Sequence, residues 1–232
     1  MARPNLRQIN YWENHERRVL KVLRIALRLL SREVLLSESE DPINRRLYFH
    51  ILVAIRELRN QGIEFITFPI YEAYNQPAVE DPERATREGK RPDIQFGYMD
   101  HQEPNPLASA KQYVVECKRL GYSGRNDWVL NENYINHGVI RFRDIEFGYA
   151  KSQPSGAMIG YMQNMTPDTI LGEVNNIARR NVLPELCLSG QGWLRRDISQ
   201  LEHRFDRPVT PSPFTLKHLW LDLTDHSRRK DT

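Results

Sequence analysis

The stretch QYVVECKRL, residues 112–120, places charged side chains within a β-branched and aromatic run. Such a run, closed here by Gly121, predicts a β-strand that ends in a turn. Side chains alternate between the two faces of a strand, so Glu116 and Lys118 would project from the same face. Cys117 would point the other way, into the packed face of a sheet. The stretch therefore predicts a strand that carries a carboxylate and an ammonium group side by side.

Asp93 lies in a shorter apolar segment, PDIQF at 92–96, which is expected to pair with this strand as its antiparallel neighbour. Two carboxylates, from Asp93 and Glu116, would then meet the Lys118 ammonium at the edge of a sheet. A hard dication such as Mg²⁺ (or Mn²⁺) takes oxygen ligands, commonly one or two carboxylates with water and substrate phosphate oxygens. The lysine would orient or help deprotonate the attacking water and offset charge on the phosphate. The pattern indicates a metal-dependent site that cleaves phosphodiester bonds.

Spacing alone is weak evidence for this site, because Glu-x-Lys also occurs as Glu88-Gly89-Lys90. That second instance lies in the polar stretch EDPERATREGKRP, has a glycine at its centre and is predicted to be a loop. The alternative for Glu116 and Lys118 is an ordinary exposed pair on a half-buried strand, which motif matching does not exclude.

Two segments together, RPDIQFGYMD at 91–100 and QYVVECKRLG at 112–121, resemble the PD-(D/E)XK nuclease superfamily, which has the restriction-endonuclease-like fold. The resemblance extends upstream to SEDPINRRLYFHILVAIREL, which is similar to the first core helix, and downstream to NYINHGVIRF…YA…GAMIGYMQN. It covers roughly residues 38–164 and is to small bacterial restriction-type or phage-defence nucleases. One departure is the polar loop DHQEPNPLASAK between the two segments, which is longer than a tight hairpin and leaves the pairing register open.

The resemblance implies roles for particular residues. Asp93 and Glu116 would bind the metal, together with the carbonyl oxygen of Cys117. Lys118 would assist the attacking water. Glu40, near the start of the first core helix, would be a further metal ligand. Its alternative role is that of a helix-dipole partner, since acidic residues are favoured at helix N-termini.

Other side chains near these positions have more than one interpretation. Glu38 is a less favoured substitute for Glu40. Asp100 closes the PDIQF segment and is expected to be a turn residue, with an auxiliary acidic role as the alternative. Arg141 lies with Tyr134 on the helix predicted over residues 130–149, after the catalytic strand. A nucleic-acid contact is expected there, because arginine offers a bidentate donor fork to phosphate oxygens. A surface salt bridge is the alternative for Arg141.

A basic ridge runs along the helix predicted over residues 11–35. Its members are spaced by three or four residues and so share one helix face: Arg17, Lys21, Arg24, Arg28 and Arg32. A leucine-rich stripe follows the opposite face, as in an amphipathic helix. The ridge would be a solvated surface, a set of nucleic-acid contacts, or the outer side of a dimerisation helix. The stripe would either cover the chain's own sheet or pack across a two-fold axis in a homodimer.

Composition limits the class of protein. The 232 residues fit one domain, and the net charge of +3 permits binding of nucleic acid without requiring it. The resemblance to nucleases implies DNA rather than RNA as that nucleic acid. No apolar run reaches the roughly 18 residues of a membrane span, and the N-terminus lacks the pattern of a signal peptide. Two cysteines are too few for a disulfide framework. We therefore expect a cytoplasmic protein that has no membrane partner.

Other chemistries lack their sequence markers. The seven histidines are not spaced with cysteine or histidine as in a zinc finger. Gly89-Lys90 is followed by arginine and has no upstream glycine, so no phosphate-binding loop for a nucleotide cofactor is present. No G-x-S-x-G motif marks a serine hydrolase. What is left is metal-assisted chemistry or binding.

The order of predicted elements gives an α/β fold. We predict a restriction-endonuclease-like core of a mixed central sheet flanked by helices, with an N-terminal helical extension and a C-terminal hairpin. One nuclease-like domain would span residues 1–232, divided into the helix at 11–35, the core at 38–164, and a helix plus strands at 165–232. The predicted function is Mg²⁺-dependent cleavage of nucleic acid, by a DNA endonuclease of restriction or phage defence. The alternative is a catalytically silent module for nucleic-acid binding or assembly.

Overall fold

The computed structural model describes most of the chain. The described residues are 6–34, 36–37, 39–65, 67–75, 81–122, 129–190, 192–194 and 197–224, with side chains from Trp12 onward. Glu38 therefore lies outside the described residues, and its predicted role stays a prediction.

Two long helices come first in the chain, α1 (Leu6–Leu30) and α2 (Glu40–Asn60). A short helix α3 (Arg84–Glu88) follows. The next helical segment is continuous and consists of α4 (Leu130–Tyr134), a π-helical turn (Ile135–Val139) and α5 (Ile140–Arg143). Helix α6 (Pro167–Arg180) follows the strand Ser155–Met162. In the part of the chain that the structure describes, no helix combines the length and apolar content needed to cross a membrane.

A mixed open sheet forms the centre of the molecule. Its strands, in chain order, are β1 (Phe68–Tyr71), β2 (Ile94–Met99), β3 (Ala110–Leu120), β4 (Ser155–Met162), β5 (Cys187–Ser189), β6 (Ile198–Phe205) and β7 (Phe214–Asp222). Their spatial order is β1-β2-β3-β4-β7-β6-β5. The β3–β4 and β4–β7 pairs are parallel and the others antiparallel. The α/β class, the mixed sheet and the C-terminal β6–β7 hairpin were predicted and are confirmed.

The sheet separates two hydrophobic clusters, and β3 contributes to both. Helices α1 and α2 form the first layer, against which Cys117 packs. The segment from α4 to α5 and helix α6 form the second layer, which receives Val114 and Leu120. Glu116 and Lys118 alternate with Cys117 and so project to the second layer. The predicted orientation of these three residues is confirmed.

The leucine-rich stripe of α1 is buried within the chain itself. Leu23 and Leu27 are both 0% exposed and join the cluster formed with α2 and the sheet. Of the two alternatives for the stripe, the structure bears out the one in which it covers the chain's own sheet, and these leucines are not available to pack across a dimer axis. A homodimer remains a prediction, and it would require another surface.

Several boundaries differ from prediction. The polar stretch predicted as a loop contains α3, where an Arg84–Glu88 ion pair of 2.5 Å joins successive turns. The short strand β5 was not predicted. The helix predicted over 130–149 ends at Arg143 and contains the π-helical turn. A Cβ on Gly138 in that turn would lie 2.5 Å from Met158 Cε, so a larger residue there would displace the end of the Met158 side chain on β4.

Candidate active site

Strand β3 extends beyond the end of its antiparallel partner β2, and there two carboxylates accept the backbone hydrogen bonds of β3. The β2–β3 register ends at the pair Ile94 and Val115. Beyond it, the Cys117 N–H donates to Asp93 Oδ2 at 2.6 Å, and the Arg119 N–H donates to Glu40 Oε2 at 3.2 Å. Backbone donors inside a protein need acceptors. Both acids are therefore fixed against the free edge of the strand that carries Glu116.

The Lys118 ammonium lies among three oxygen atoms at this end of β3. Its Nζ is 2.7 Å from Glu40 Oε1, 2.8 Å from the Cys117 carbonyl oxygen and 3.1 Å from Glu116 Oε1. Glu40 lies in the first turn of α2, as both interpretations of it require. The structure thus brings together the predicted residues Glu40, Asp93, Glu116, Cys117 and Lys118, of which Glu40 and Lys118 are 78 residues apart.

Glu116 is held from two sides and retains one free oxygen. Its side chain is 0% exposed, and its Oε1 accepts from Arg141 Nη1 at 2.5 Å as well as lying near Lys118. Its Oε2 is buried without a hydrogen-bond partner in the described part of the chain. A buried carboxylate oxygen that lacks a donor is costly. This oxygen is therefore available to coordinate a metal ion or to accept a hydrogen bond.

The buried charges shift one another's pKa values. Burial, reinforced by Glu116, raises the pKa of Asp93 well above its usual range, although Lys118 and the Cys117 N–H oppose the rise. Burial alone would lower the pKa of Lys118, but Glu116, Asp93 and Glu40 outweigh it and raise that pKa. Burial would likewise lower the pKa of Arg141, and Glu116 with Tyr149 raises it instead. Lys118 and Arg141 are thus cations in this arrangement.

The donor types at this end of β3 fit a hard divalent cation. Three carboxylates (Glu40, Asp93 and Glu116) face two cations, and the Cys117 carbonyl adds a neutral oxygen. The unpartnered Glu116 Oε2 is an available ligand atom. No group of three or more His, Cys, Asp or Glu side chains among the described residues is already arranged as a metal site. Metal binding here would therefore require Lys118 to share or release part of its oxygen contacts.

Tyr134 cannot reach a nucleic acid in this structure. Its side chain is 0% exposed, and its hydroxyl accepts a hydrogen bond from Trp220 Nε1 at 2.9 Å. The same hydroxyl is 2.7 Å from His218 Nδ1. The prediction of a phosphate contact for Tyr134 is wrong, because two partners on β7 satisfy its polar end inside the core.

The basic ridge of α1 belongs to the first layer, on the opposite face of the sheet from the Glu116 side chain. Arg24 Nη2 donates to Gln200 Oε1 at 2.7 Å, and Arg28 pairs with Asp197 at 3.0 Å. These two arginines therefore contact β6 and the residue before it. Arg17 and Lys21 are exposed. Among the described contacts, none joins the ridge to the carboxylates of β3, and nucleic-acid binding by it stays a prediction.

Asp100 is a turn residue, as expected. Its Oδ1 accepts from the backbone N–H of Gln102 at 3.0 Å, and it lies at the far end of β2 from Asp93. The register of β2 and β3 runs without a break from Ile94 to Met99, so the long polar loop after Asp100 does not disturb the pairing. The alternative of an auxiliary acid for Asp100 is wrong, because the length of the strand separates it from Glu116.

Sequence reasoning missed two residues that shape the surroundings of Glu116. Tyr149 is buried and interacts with Arg141, and burial followed by Glu116 raises its pKa. Arg207 is buried in the loop after β6 and donates to backbone carbonyls of the segment that follows α5. Neither residue belongs to a periodic pattern. The only local signals were a tyrosine at the end of the helix predicted over 130–149 and an arginine in a proline-rich connection.

Comparisons with protein-family models, with curated proteins and with solved structures returned no match. The chemistry of the residues at the end of β3 is what bears on function. That chemistry provides oxygen ligands for a hard cation, an ammonium group between two carboxylates, and the partly exposed guanidinium of Arg141. Such a set can bind an anionic phosphate beside a divalent ion.

Proposed function

We propose that this chain is a Mg²⁺- or Mn²⁺-dependent nuclease that hydrolyses phosphodiester bonds, a DNA endonuclease in a bacterial restriction or phage-defence setting. One observation carries the proposal. Asp93 approaches β3 directly beside Glu116 through the Cys117 N–H, and Lys118 Nζ lies 3.1 Å from Glu116 Oε1. An isolated exposed Glu/Lys pair would not need a second buried acid at its side.

We also propose that the segment from α2 to β4 is a restriction-endonuclease-like core. The support is the placement of the resembling motifs on the elements. Asp93 immediately precedes β2, and Glu116 and Lys118 lie near the end of β3. A helical connection from α4 to α5 then leads to β4, which is parallel to β3. Glu40 begins the helix that the resemblance places first.

The proposed roles follow from what each group can donate or accept. Asp93, Glu116 and the Cys117 carbonyl would hold the ion, which supplies Lewis-acid polarisation of the phosphate and a more acidic water. Lys118 donates hydrogen bonds and keeps a positive charge close to the position of the phosphate. Glu40 positions Lys118 through its 2.7 Å contact. Burial of these groups strengthens their electrostatic effect on the phosphate.

A catalytically silent module for nucleic-acid binding or assembly remains the second candidate, because a fold does not determine a function. The unpartnered buried oxygen of Glu116 argues against it. A scaffold gains nothing from a buried carboxylate oxygen without a donor, whereas a metal site requires a free ligand atom. The complete set of two acids and a lysine supports the enzyme for the same reason.

The test compares Glu116→Gln and Asp93→Asn with the unchanged protein on duplex, single-stranded, branched and RNA substrates in Mg²⁺ or Mn²⁺. Both variants should lose cleavage, because each removes a charged ligand while keeping the shape of the side chain. Glu88→Gln is the matched control, since Glu88 belongs to the other Glu-x-Lys sequence and pairs with Arg84 instead. It should cleave normally. Absence of any cleavage by the unchanged protein, together with no heat in a metal titration, would exclude the nuclease.

A further inference from the structure

Three basic side chains lie over aromatic rings near the Glu116 carboxylate. Arg91 Cζ is 4.5 Å from the centre of the Tyr74 ring, and its Nη2 donates to the Tyr74 hydroxyl at 2.8 Å. Lys90 Nζ is 4.8 Å from the centre of the Phe147 ring. Arg141 Cζ is 5.7 Å from the same ring. We call these five residues, Tyr74, Lys90, Arg91, Phe147 and Arg141, the basic–aromatic track.

Two buried amide side chains fix the segments of the track to one another. Gln95 Nε2 donates to the carbonyl oxygens of Ala73 at 2.8 Å and Tyr74 at 3.0 Å. The Asn75 N–H donates to the Lys90 carbonyl at 2.9 Å, and Asn75 Nδ2 donates to the Phe147 carbonyl at 3.1 Å. Gln95 and Asn75 are 2% and 3% exposed. Three segments distant in sequence are thus held in a defined arrangement.

The track lies on the same side of the sheet as Glu116. Gln95 is the register partner of Val114, which packs into the second layer. The side chain of Gln95 therefore supports Tyr74 from the face to which Glu116 projects. Arg141, at the other end of the track, contacts Glu116 directly. The exposed Tyr74, 54% accessible, contacts Arg91, and the adjacent Lys90 begins the contacts that lead through Phe147 and Arg141 to the buried carboxylate of Glu116.

Arg141 pairs with Glu116, but the other two cations of the track, Lys90 and Arg91, differ from it. Among the described residues, neither Lys90 nor Arg91 has a carboxylate within ion-pair distance. The nearby cations Arg87 and Lys151 differ, because both pair with Asp81. A ring beneath a cation restrains its position and leaves its N–H groups available to an anion. Two cations that lie over rings and have no ion-pair partner in the described part of the chain therefore point to a binding site for an extended anion.

We infer that the basic–aromatic track binds successive backbone phosphates of a polynucleotide and leads the strand to Glu116. The part of this inference that leads the strand to Glu116 rests on the proposed nuclease function. The part that concerns binding of phosphates does not. The shared ligand chemistry is the phosphodiester backbone, which a duplex and a single strand both present. Neutralising a phosphate releases counterions, so each contact contributes a fixed amount to the salt dependence of binding.

The experiment measures fluorescence anisotropy of labelled duplex and single-stranded DNA in EDTA over a range of salt concentrations, where no cleavage occurs. The double variant Lys90→Gln with Arg91→Gln should lower the slope of log affinity against log salt. The decrease should be about 1.8 for a duplex and about 1.4 for a single strand, the values for two lost phosphate contacts. The arm that shows its expected decrease identifies the form of nucleic acid that follows the track.

Two controls make the result specific. Arg56→Gln with Arg59→Gln removes the same charge from the exposed face of α2, in the first layer, and should leave the slope unchanged. Arg91→Lys keeps the charge and should preserve the slope even if it weakens the contact with Tyr74. Equal slopes for the Lys90/Arg91 variant and the unchanged protein would overturn the inference that the track binds phosphates. Absence of DNA binding by the unchanged protein would overturn it as well. Normal binding through the track without cleavage in Mg²⁺ would exclude only the nuclease.

Discussion

Arg207 is a buried guanidinium whose removal should destabilise the molecule and loosen the segment after α5. Three of its hydrogen bonds are 3.0 Å or shorter, to the carbonyl oxygens of Pro211 at 3.0 Å, Ala150 at 2.9 Å and Gln153 at 2.7 Å. Its Cζ lies 4.1 Å from the centre of the Phe214 ring. The variant Arg207→Met would leave the carbonyls of Gln153 and Pro211 without this donor and the Ala150 carbonyl with only the Gln153 N–H, and the contacts to Ala150 and Gln153 are buried.

The magnitude follows from these contacts. A hydrogen bond from a charged donor contributes about 1.5 kcal/mol or more, so three give roughly 4–5 kcal/mol. Burial opposes part of this, since it lowers the pKa of Arg207 to about 10. Methionine also restores some apolar contact in the same space. We therefore expect Arg207→Met to lower the free energy of unfolding by about 3 kcal/mol.

Urea denaturation followed by circular dichroism measures this free energy, and hydrogen exchange measures the local effect. The amides of residues 147–153 should exchange faster in Arg207→Met than in the unchanged protein. Arg204→Met is the matched control, because Arg204 is exposed on the preceding strand β6. It should change stability by no more than about 0.5 kcal/mol. A loss as small for Arg207→Met, with unchanged exchange at 147–153, would refute the importance of these hydrogen bonds.

Three further predictions concern a lysine, a histidine and a leucine. Lys118→Met should lower the cleavage rate about 10²-fold, as loss of a positioned donor does, while titration with Mn²⁺ in a calorimeter still produces heat of binding. Loss of metal binding together with cleavage would contradict a role for Lys118 that is separate from holding the metal. Burial lowers the pKa of His203 to about 4 although the Pro184 carbonyl opposes this, so the unfolded chain binds a proton below about pH 6.5 before the folded chain does. The free energy of unfolding should therefore decrease as the pH is lowered from about 6.5 to about 4. In urea titrations over that range, the decrease for His203→Leu should be smaller than that of the unchanged protein by about 3 kcal/mol. The same pH profile for the two proteins would count against this prediction. Leu23→Glu should unfold or aggregate in light scattering, because it places an unpaired charge at a position that is 0% exposed; a folded monomer would disprove this packing.

The sequence was most informative where a local pattern decides the structure. The alternation in β3 and the helical spacing in α2 depend on neighbours along the chain, so their type and facing could be predicted. Tyr134 could not be placed in this way, since its burial depends on His218 and Trp220, more than 80 residues away. The partners of Arg207 are likewise distant carbonyls. Glu40 was predicted near Lys118 only through the resemblance to a nuclease family, because no spacing rule connects positions 78 residues apart.

The free end of β3 also provides two spectroscopic reporters. The amide protons of Cys117 and Arg119 are each hydrogen-bonded to a single carboxylate, that of Asp93 and that of Glu40 respectively. Hydrogen bonds to ionised acceptors are shorter and stronger than those to neutral ones, so the resonance of each amide depends on the charge state and position of its acid. Backbone NMR of the Cys117 and Arg119 amides, which lie two residues apart on β3, can therefore follow the two acids separately. It does so without altering any residue that the proposed chemistry uses.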